Sequence, residues 1–178
     1  VCPMFQPREQ HSVTVQHRFA VNNDGSVTAQ DVIYVVGGYI NVKLSFCARS
    51  SCGPSDGYKL AMDDAWMSSD GGVTWTQIKK AFDNSPGAFT GRGSHEAIVV
   101  DDRLLIFGGE TFNPQLSHTR YMNDVWQVDL PTEPCCDDCE EHEGCAPTDS
   151  DWNVILSNAP WQARSGHTVV YEPPSSSN

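Results

Sequence analysis

Positive charge is scarce in this sequence. Its 178 residues carry 11 lysines and arginines against 23 aspartates and glutamates, a formal net charge of −12. Phosphate-backbone binding needs a concentrated basic face, and none is visible, so a nucleic-acid partner is not expected. The acidic surplus reads instead as a solvated surface that keeps the chain soluble. Long apolar runs are also missing. No stretch approaches the roughly 18 residues that a membrane-spanning helix requires, so no membrane span is expected here. No Asn-x-Ser/Thr acceptor occurs, so glycosylation neither supports nor opposes any compartment. A Gly-rich phosphate loop and a His-Glu-x-x-His pair are both lacking, which removes the chemistry those motifs serve. No cofactor is implied.

What is present is a repeat, and repeats decide architecture before anything else. The stretch 92–126 shows it best. Arg92 and His95 lead into an apolar run, Asp101-Asp102 makes a polar turn, and a second run at 103–107 ends in Gly108-Gly109. Asn123-Asp124-Val125-Trp126 follows, and then Trp152. Two short apolar runs across a tight turn read as a β-hairpin. The paired glycine permits a sharp bend and a close backbone approach. Upstream the same order appears as Arg8, His11, Gly37-Gly38, Asp63-Asp64-Ala65-Trp66 and Trp75. Downstream Arg164 and His167 open a third copy. The glycine pairs are 71 residues apart and the later histidines 72.

These residues resemble the kelch repeat, with its Arg/His-led strand, Gly-Gly strand, Asn-Asp strand and Trp strand. The resemblance covers nearly the whole chain and implies an all-β fold. It implies two four-stranded antiparallel blades of a kelch-type β-propeller plus the first strand of a third blade. The division is a lead-in segment at 1–6, a blade at 7–82, a second at 83–160 and the start of a third at 161–178. A typical kelch repeat is about 50 residues, so the excess is expected in loops. Propellers close with about 4–8 blades, and a blade buries its faces only against neighbours. The chain is therefore expected to be a segment of a larger propeller. Its opening at Val1-Cys2-Pro3 without an initiator Met and its closing Pro-Pro-Ser-Ser-Ser-Asn run fit that expectation. The remaining blades would come from the same parent chain or a neighbouring one.

In the first blade the strands are expected at 12–19, 31–36, 63–67 and 75–79. In the second they are expected at 95–100, 103–107, 124–129 and 152–156, with a third-blade strand at 168–171. Loops are expected at 39–59, 110–122 and 130–150. The turn Ser68-x-Asp70-x-Gly72-x-Thr74-Trp75 is similar to the Asp-box of sialidases and other propellers. There Asp70 would accept hydrogen bonds from turn N–H groups and Trp75 would anchor the turn. Its implied role is structural.

Seven cysteines bear on compartment. Cys47 and Cys52 share one expected loop; Cys135, Cys136, Cys139 and Cys145 crowd another. Bridges that staple insertions fit this distribution and persist in oxidising surroundings, with Cys2 left over. Cys136, Cys139 and Cys145 with His142 offer a zinc alternative, although adjacent Cys135-Cys136 is an awkward geometry. Free thiols of an intracellular kelch adaptor are a further alternative.

The recurring Arg8, Arg92, Arg164, His11, His95 and His167 are repeat-equivalent, so hydrogen bonding and ion pairing between blades is their expected role. Neither a sialidase set nor the Tyr/His copper ligands of a galactose-oxidase type can be assigned. The expected function is a non-catalytic interaction or structural module of a secreted or cell-surface protein, binding a protein or glycan. A part of an extracellular propeller enzyme with its catalytic residues elsewhere is the alternative. In propellers that this chain resembles, the end carrying the second-to-third-strand connections commonly holds the partner surface. The resemblance thus points to His118, Arg120 and Tyr121.

Overall fold

The computed structural model describes residues 6–21, 24–43, 57–82, 89–113, 118–131 and 151–173. The cysteines, His142 and most of the 130–150 insertion lie outside them, so the disulfide and zinc expectations do too. Ten strands are described: β1 Ser12–Val21, β2 Val27–Val36, β3 Tyr39–Lys43, β4 Gly57–Ala61, β5 Ala65–Ser68, β6 Thr76–Lys79, β7 Glu96–Val100, β8 Arg103–Asn113, β9 His118–Asp129 and β10 Asn153–Leu156. No helix among these residues is long and apolar enough to cross a membrane.

Two four-stranded antiparallel sheets form, in the orders β1-β2-β5-β6 and β7-β8-β9-β10, with β3-β4 as a separate hairpin. These are two blades, and alternation along the strands joins them. On β2, Val32, Tyr34 and Val36 are fully buried. With Ala65, Met67 and Ile78 they form one apolar cluster with Phe89, Ala97, Leu104, Ile106, Val128, Leu130 and Trp152 from the second blade. The two facing sides of the sheets thus cover one another, the burial such sheets need to be stable. Polar stitches cross the same seam. The Ala97 N–H donates to Ser12 Oγ at 2.8 Å, and Gln16 Nε2 donates to Asp102 Oδ1 at 2.7 Å.

The first hairpin runs further than its apolar pattern suggests. β1 and β2 stay in register from Ser12↔Val36 to Val21↔Val27, whereas a turn was expected from residue 20. Exposed Phe19 and Val27 mark an extension beyond the core, so burial gave no signal for it. At the turn, Asp24 Oδ1 accepts from the Ser26 N–H at 2.9 Å, a local side-chain turn.

Both long second-to-third-strand connections contain hairpins where loops were expected. In the first blade β3 pairs with β4, from Tyr39↔Ala61 to Lys43↔Gly57. In the second, β8 passes through Gly108-Gly109 and pairs onward with β9, from Gly109↔Met122 to Asn113↔His118. The glycine pair bends the ladder without ending it. Gly109 has φ +101°, and an added Cβ there would lie 2.7 Å from His95 Cβ. A side chain would be both strained and without room.

The third-blade strand expected at 168–171 does not form. Val170 is 84% exposed, and among the described residues no second strand lies alongside to hydrogen-bond it. The segment before it nevertheless docks as its equivalents do. Gly38 N–H donates to Arg92 O and Arg92 N–H to Met62 O; Gly109 N–H likewise donates to Arg164 O and Arg164 N–H to Met122 O. A further ladder runs Ser94 N–H to Gln10 O and Gly166 N–H to Ser94 O, at 2.9 and 2.8 Å. Gln10, Ser94 and Gly166 all adopt left-handed φ, at 56°, 51° and 64°.

Candidate functional site

The recurring charged residues are engaged in holding the blades. Arg8 Nη1 and Nη2 donate to the two Asp64 carboxylate oxygens at 2.7 and 2.9 Å, and Nη1 also donates to Gly37 O. Trp66 Nε1 donates to the same carboxylate. In the second blade Arg92 repeats this on Asp124 and Gly108 O, with Trp126 Nε1 completing it. Such two-pronged pairs fix planar geometry and fill both partners' hydrogen-bonding capacity. The ion pairs are therefore within blades, and it is the arginine backbone that spans between them. Arg164, exposed, has no carboxylate partner among the described residues.

The three histidines follow the arginines. His95 is buried, and its pKa is pushed down to about 3, by burial first, then by the Arg92 charge and by His11 and His167. Burial and the neighbouring arginine also lower His11 and His167. His95 is thus buried beside the Arg92 cation with its proton disfavoured. Among the described residues no group of three or more His, Cys, Asp or Glu side chains gathers as a metal site.

The Ser68–Trp75 turn is closed locally. Asp70 accepts from the Val73 and Thr74 N–H groups at 3.0 and 2.8 Å and from the Thr74 hydroxyl at 2.6 Å. The Gly72 N–H donates to Ser68 Oγ, Trp75 Nε1 donates to Gly72 O, and Gly72 has φ +91°. These bonds lower the Asp70 pKa to about 2, the Thr74 contacts contributing most.

At the opposite end, the β3–β4 hairpin and the extended β8–β9 hairpin enclose a cleft of about 480 Å³. Among the described residues Gln10, Tyr39, Tyr58 and Lys59 line it from the first blade, and Glu110, Phe112 and Thr119 from the second. Tyr39 is the keystone. Its ring lies against Gly93, where an added Cβ would sit 2.3 Å from Tyr39 Cε2. Its hydroxyl donates to Glu110 O at 3.1 Å. Burial first, then the Glu110 and Tyr121 charges, push its pKa up to about 12. Lys59 pairs with Glu9, and Glu110 Oε2 accepts from Ser165 Oγ at 2.8 Å. The side chains of Gln10, Tyr58 and Thr119 have no hydrogen-bond partner among the described residues.

His118, Arg120 and Tyr121 are exposed at this end, but on strand β9 rather than in a loop. Strand alternation separates them. Glu110 pairs with Tyr121 and Phe112 with Thr119, so Tyr121 shares the cleft face. His118 and Arg120 pair with Asn113 and Thr111 on the other face. The cleft residues Tyr39, Tyr58, Phe112, Gln10 and Thr119 escaped the sequence reading. For Tyr39 and Phe112 the signal was an aromatic soon after each glycine pair, in segments taken as loops; Gln10, Tyr58 and Thr119 gave none.

No protein-family model matches the chain. No curated protein matches it. Among solved structures it is similar to one titled "Structure of YjhT", at 18% identity and a TM-score of 0.47, over 94% of this chain and 32% of that one. The chain thus spans about a third of that protein's length.

Proposed function

We propose that the chain is a non-catalytic interaction module of a secreted or cell-surface protein, and that its protein or glycan partner engages the hairpin end. The observation that carries this reading is a contrast in how side chains are used. The arginines and aspartates that look catalytic are locked in bidentate pairs within the blades. Gln10, Tyr58 and Thr119 stand at a cleft with no hydrogen-bond partner for their side chains among the described residues. Rigid strands projecting hairpins are a suitable scaffold for recognition.

The Ser68–Trp75 turn is read as an Asp-box, a fold element at the other end. The cysteine distribution supports an oxidising compartment. Further kelch-type blades complete the fold, from the same parent chain or a neighbouring one. The flank beside Arg164, His167 and Val170, with its cleft of about 370 Å³, is where the next blade packs.

A photo-crosslinking residue placed at position 121, compared with one at position 73 on the opposite end, tests the reading. Crosslinks to a partner from the protein's native surroundings are expected at 121 and not at 73. Labelling confined to 73 overturns it.

A further inference from the structure

Resting on that reading of the hairpin end, we propose that the cleft between the β3–β4 and β8–β9 hairpins binds a neutral saccharide of one or two rings. Among the described residues the partly exposed aromatic side chains of Tyr58 and Phe112 line it, beside the buried Tyr39. Rings of this kind offer broad apolar faces against which the C–H face of a sugar can pack. Around them stand the Gln10 amide and the Tyr58 and Thr119 hydroxyls, unpartnered among the described residues. Such groups both donate and accept, which matches the hydroxyls of a sugar better than it matches a group that only donates or only accepts.

Charge selects within the sugars. Among the described residues the cation lining the cleft is Lys59, which pairs with Glu9 at the surface. The Glu110 carboxylate also lines the cleft, and among the described residues its Oε2 accepts from Ser165 Oγ while Oε1 has no partner. A carboxylated or sulfated sugar meets like charge at Glu110, while the described cation Lys59 already has Glu9 as a partner. A neutral sugar can instead donate a hydroxyl to Glu110 Oε1.

Size and rigidity agree. A volume of about 480 Å³ lies in the range of small-molecule sites, roughly 300–1,000 Å³. A stable protein interface covers about 800 Å² on each side, more than this cleft offers alone. Tyr39 is fixed between Gly93 and Glu110 O. The left-handed backbone of Gln10 is held by the Ser94 N–H. Groups fixed before binding lose little entropy on binding.

The test is calorimetric titration of the full chain with neutral mono- and disaccharides and with their carboxylated and sulfated counterparts. At least one neutral sugar is expected to bind in preference to its charged counterpart. Phe112→Ala should weaken it about tenfold or more, and Tyr58→Phe and Thr119→Val about threefold or more. Phe19→Ala, on the far end, should leave it unchanged. These side chains are at least partly exposed, and unchanged melting of each variant confirms folding. Preference for charged sugars, or binding indifferent to Phe112 and Tyr58, overturns the proposal. If no sugar binds while a crosslinker at 121 still captures a protein, the saccharide assignment fails and the binding end stands. If capture occurs only at 73, both fail.

Discussion

Among single residues, His95 has the most to lose from protonation. Its ring sits between the blades with the Arg92 charge beside it, and its pKa falls from 6.5 to about 3. Between those values the unfolded chain holds a proton that the folded chain refuses. Stability is therefore complete above about pH 6.5 and declines as the pH drops towards 3, by up to about 1.4 kcal/mol per pH unit. His11 and His167 are lowered in the same direction and add to the slope. Urea midpoints measured at pH 7 and pH 4.5 should fall for the native chain. In His95→Leu, which keeps an apolar group of similar bulk, the fall should be smaller. An equal fall in both would show that His95 is not the acid-sensitive group.

Between elements, the turn joining β5 to β6 shows how far local chemistry can specify structure. Asp70 gathers the Val73 and Thr74 N–H groups and the Thr74 hydroxyl. Asp70→Ala should speed hydrogen exchange at Val73 and Thr74 by about tenfold or more while the core strands keep their protection. Because the Asp70 pKa is depressed to about 2, the contribution of this carboxylate is present above about pH 4. It disappears as the pH falls through 2. Unchanged exchange in the variant would mean that the neighbouring glycines alone shape the turn. This turn was legible in sequence because its residues act on one another within eight positions. The blade strands were legible as well, since Val32, Tyr34 and Val36, and Leu104 and Ile106, recur at the two-residue spacing that puts them on one buried face. The β3–β4 and β8–β9 hairpins were not. Tyr39 is followed directly by Ile40, which breaks the alternation a strand would show, Phe112 alternates with polar neighbours on a surface partly open to water, and Gly108-Gly109 resembles a strand end. Only the opposed hairpin of the other blade shows which face becomes a cleft. The sequence likewise placed His118, Arg120 and Tyr121 together, whereas pairing across β8 and β9 sets Tyr121 apart from the other two.

For the molecule as a whole, the three arginines form a graded series. Arg8 and Arg92 are buried against Asp64 and Asp124, with side-chain exposures of 2% and 0%; Arg164 is exposed. Removing one member of a buried pair typically costs about 3–5 kcal/mol, because the other charge is left without a counter-ion. Arg92→Met is expected to lower the unfolding free energy by that much. Arg164→Met should cost less than about 0.5 kcal/mol where the flank is open, and as much as Arg92→Met where another blade supplies the aspartate. Denaturant titration of both variants, with and without the neighbouring blade, separates the two states. A large loss from Arg164→Met with the flank open would contradict the structure.

The backbone chain through Gln10, Ser94 and Gly166 also has a sense of direction. Each amide hydrogen points back to the preceding copy, so one rim of the array ends in a donor and the other in an acceptor. Units can follow one another only head to tail, all turning the same way. Two such arrays meeting across a twofold axis would set donor against donor.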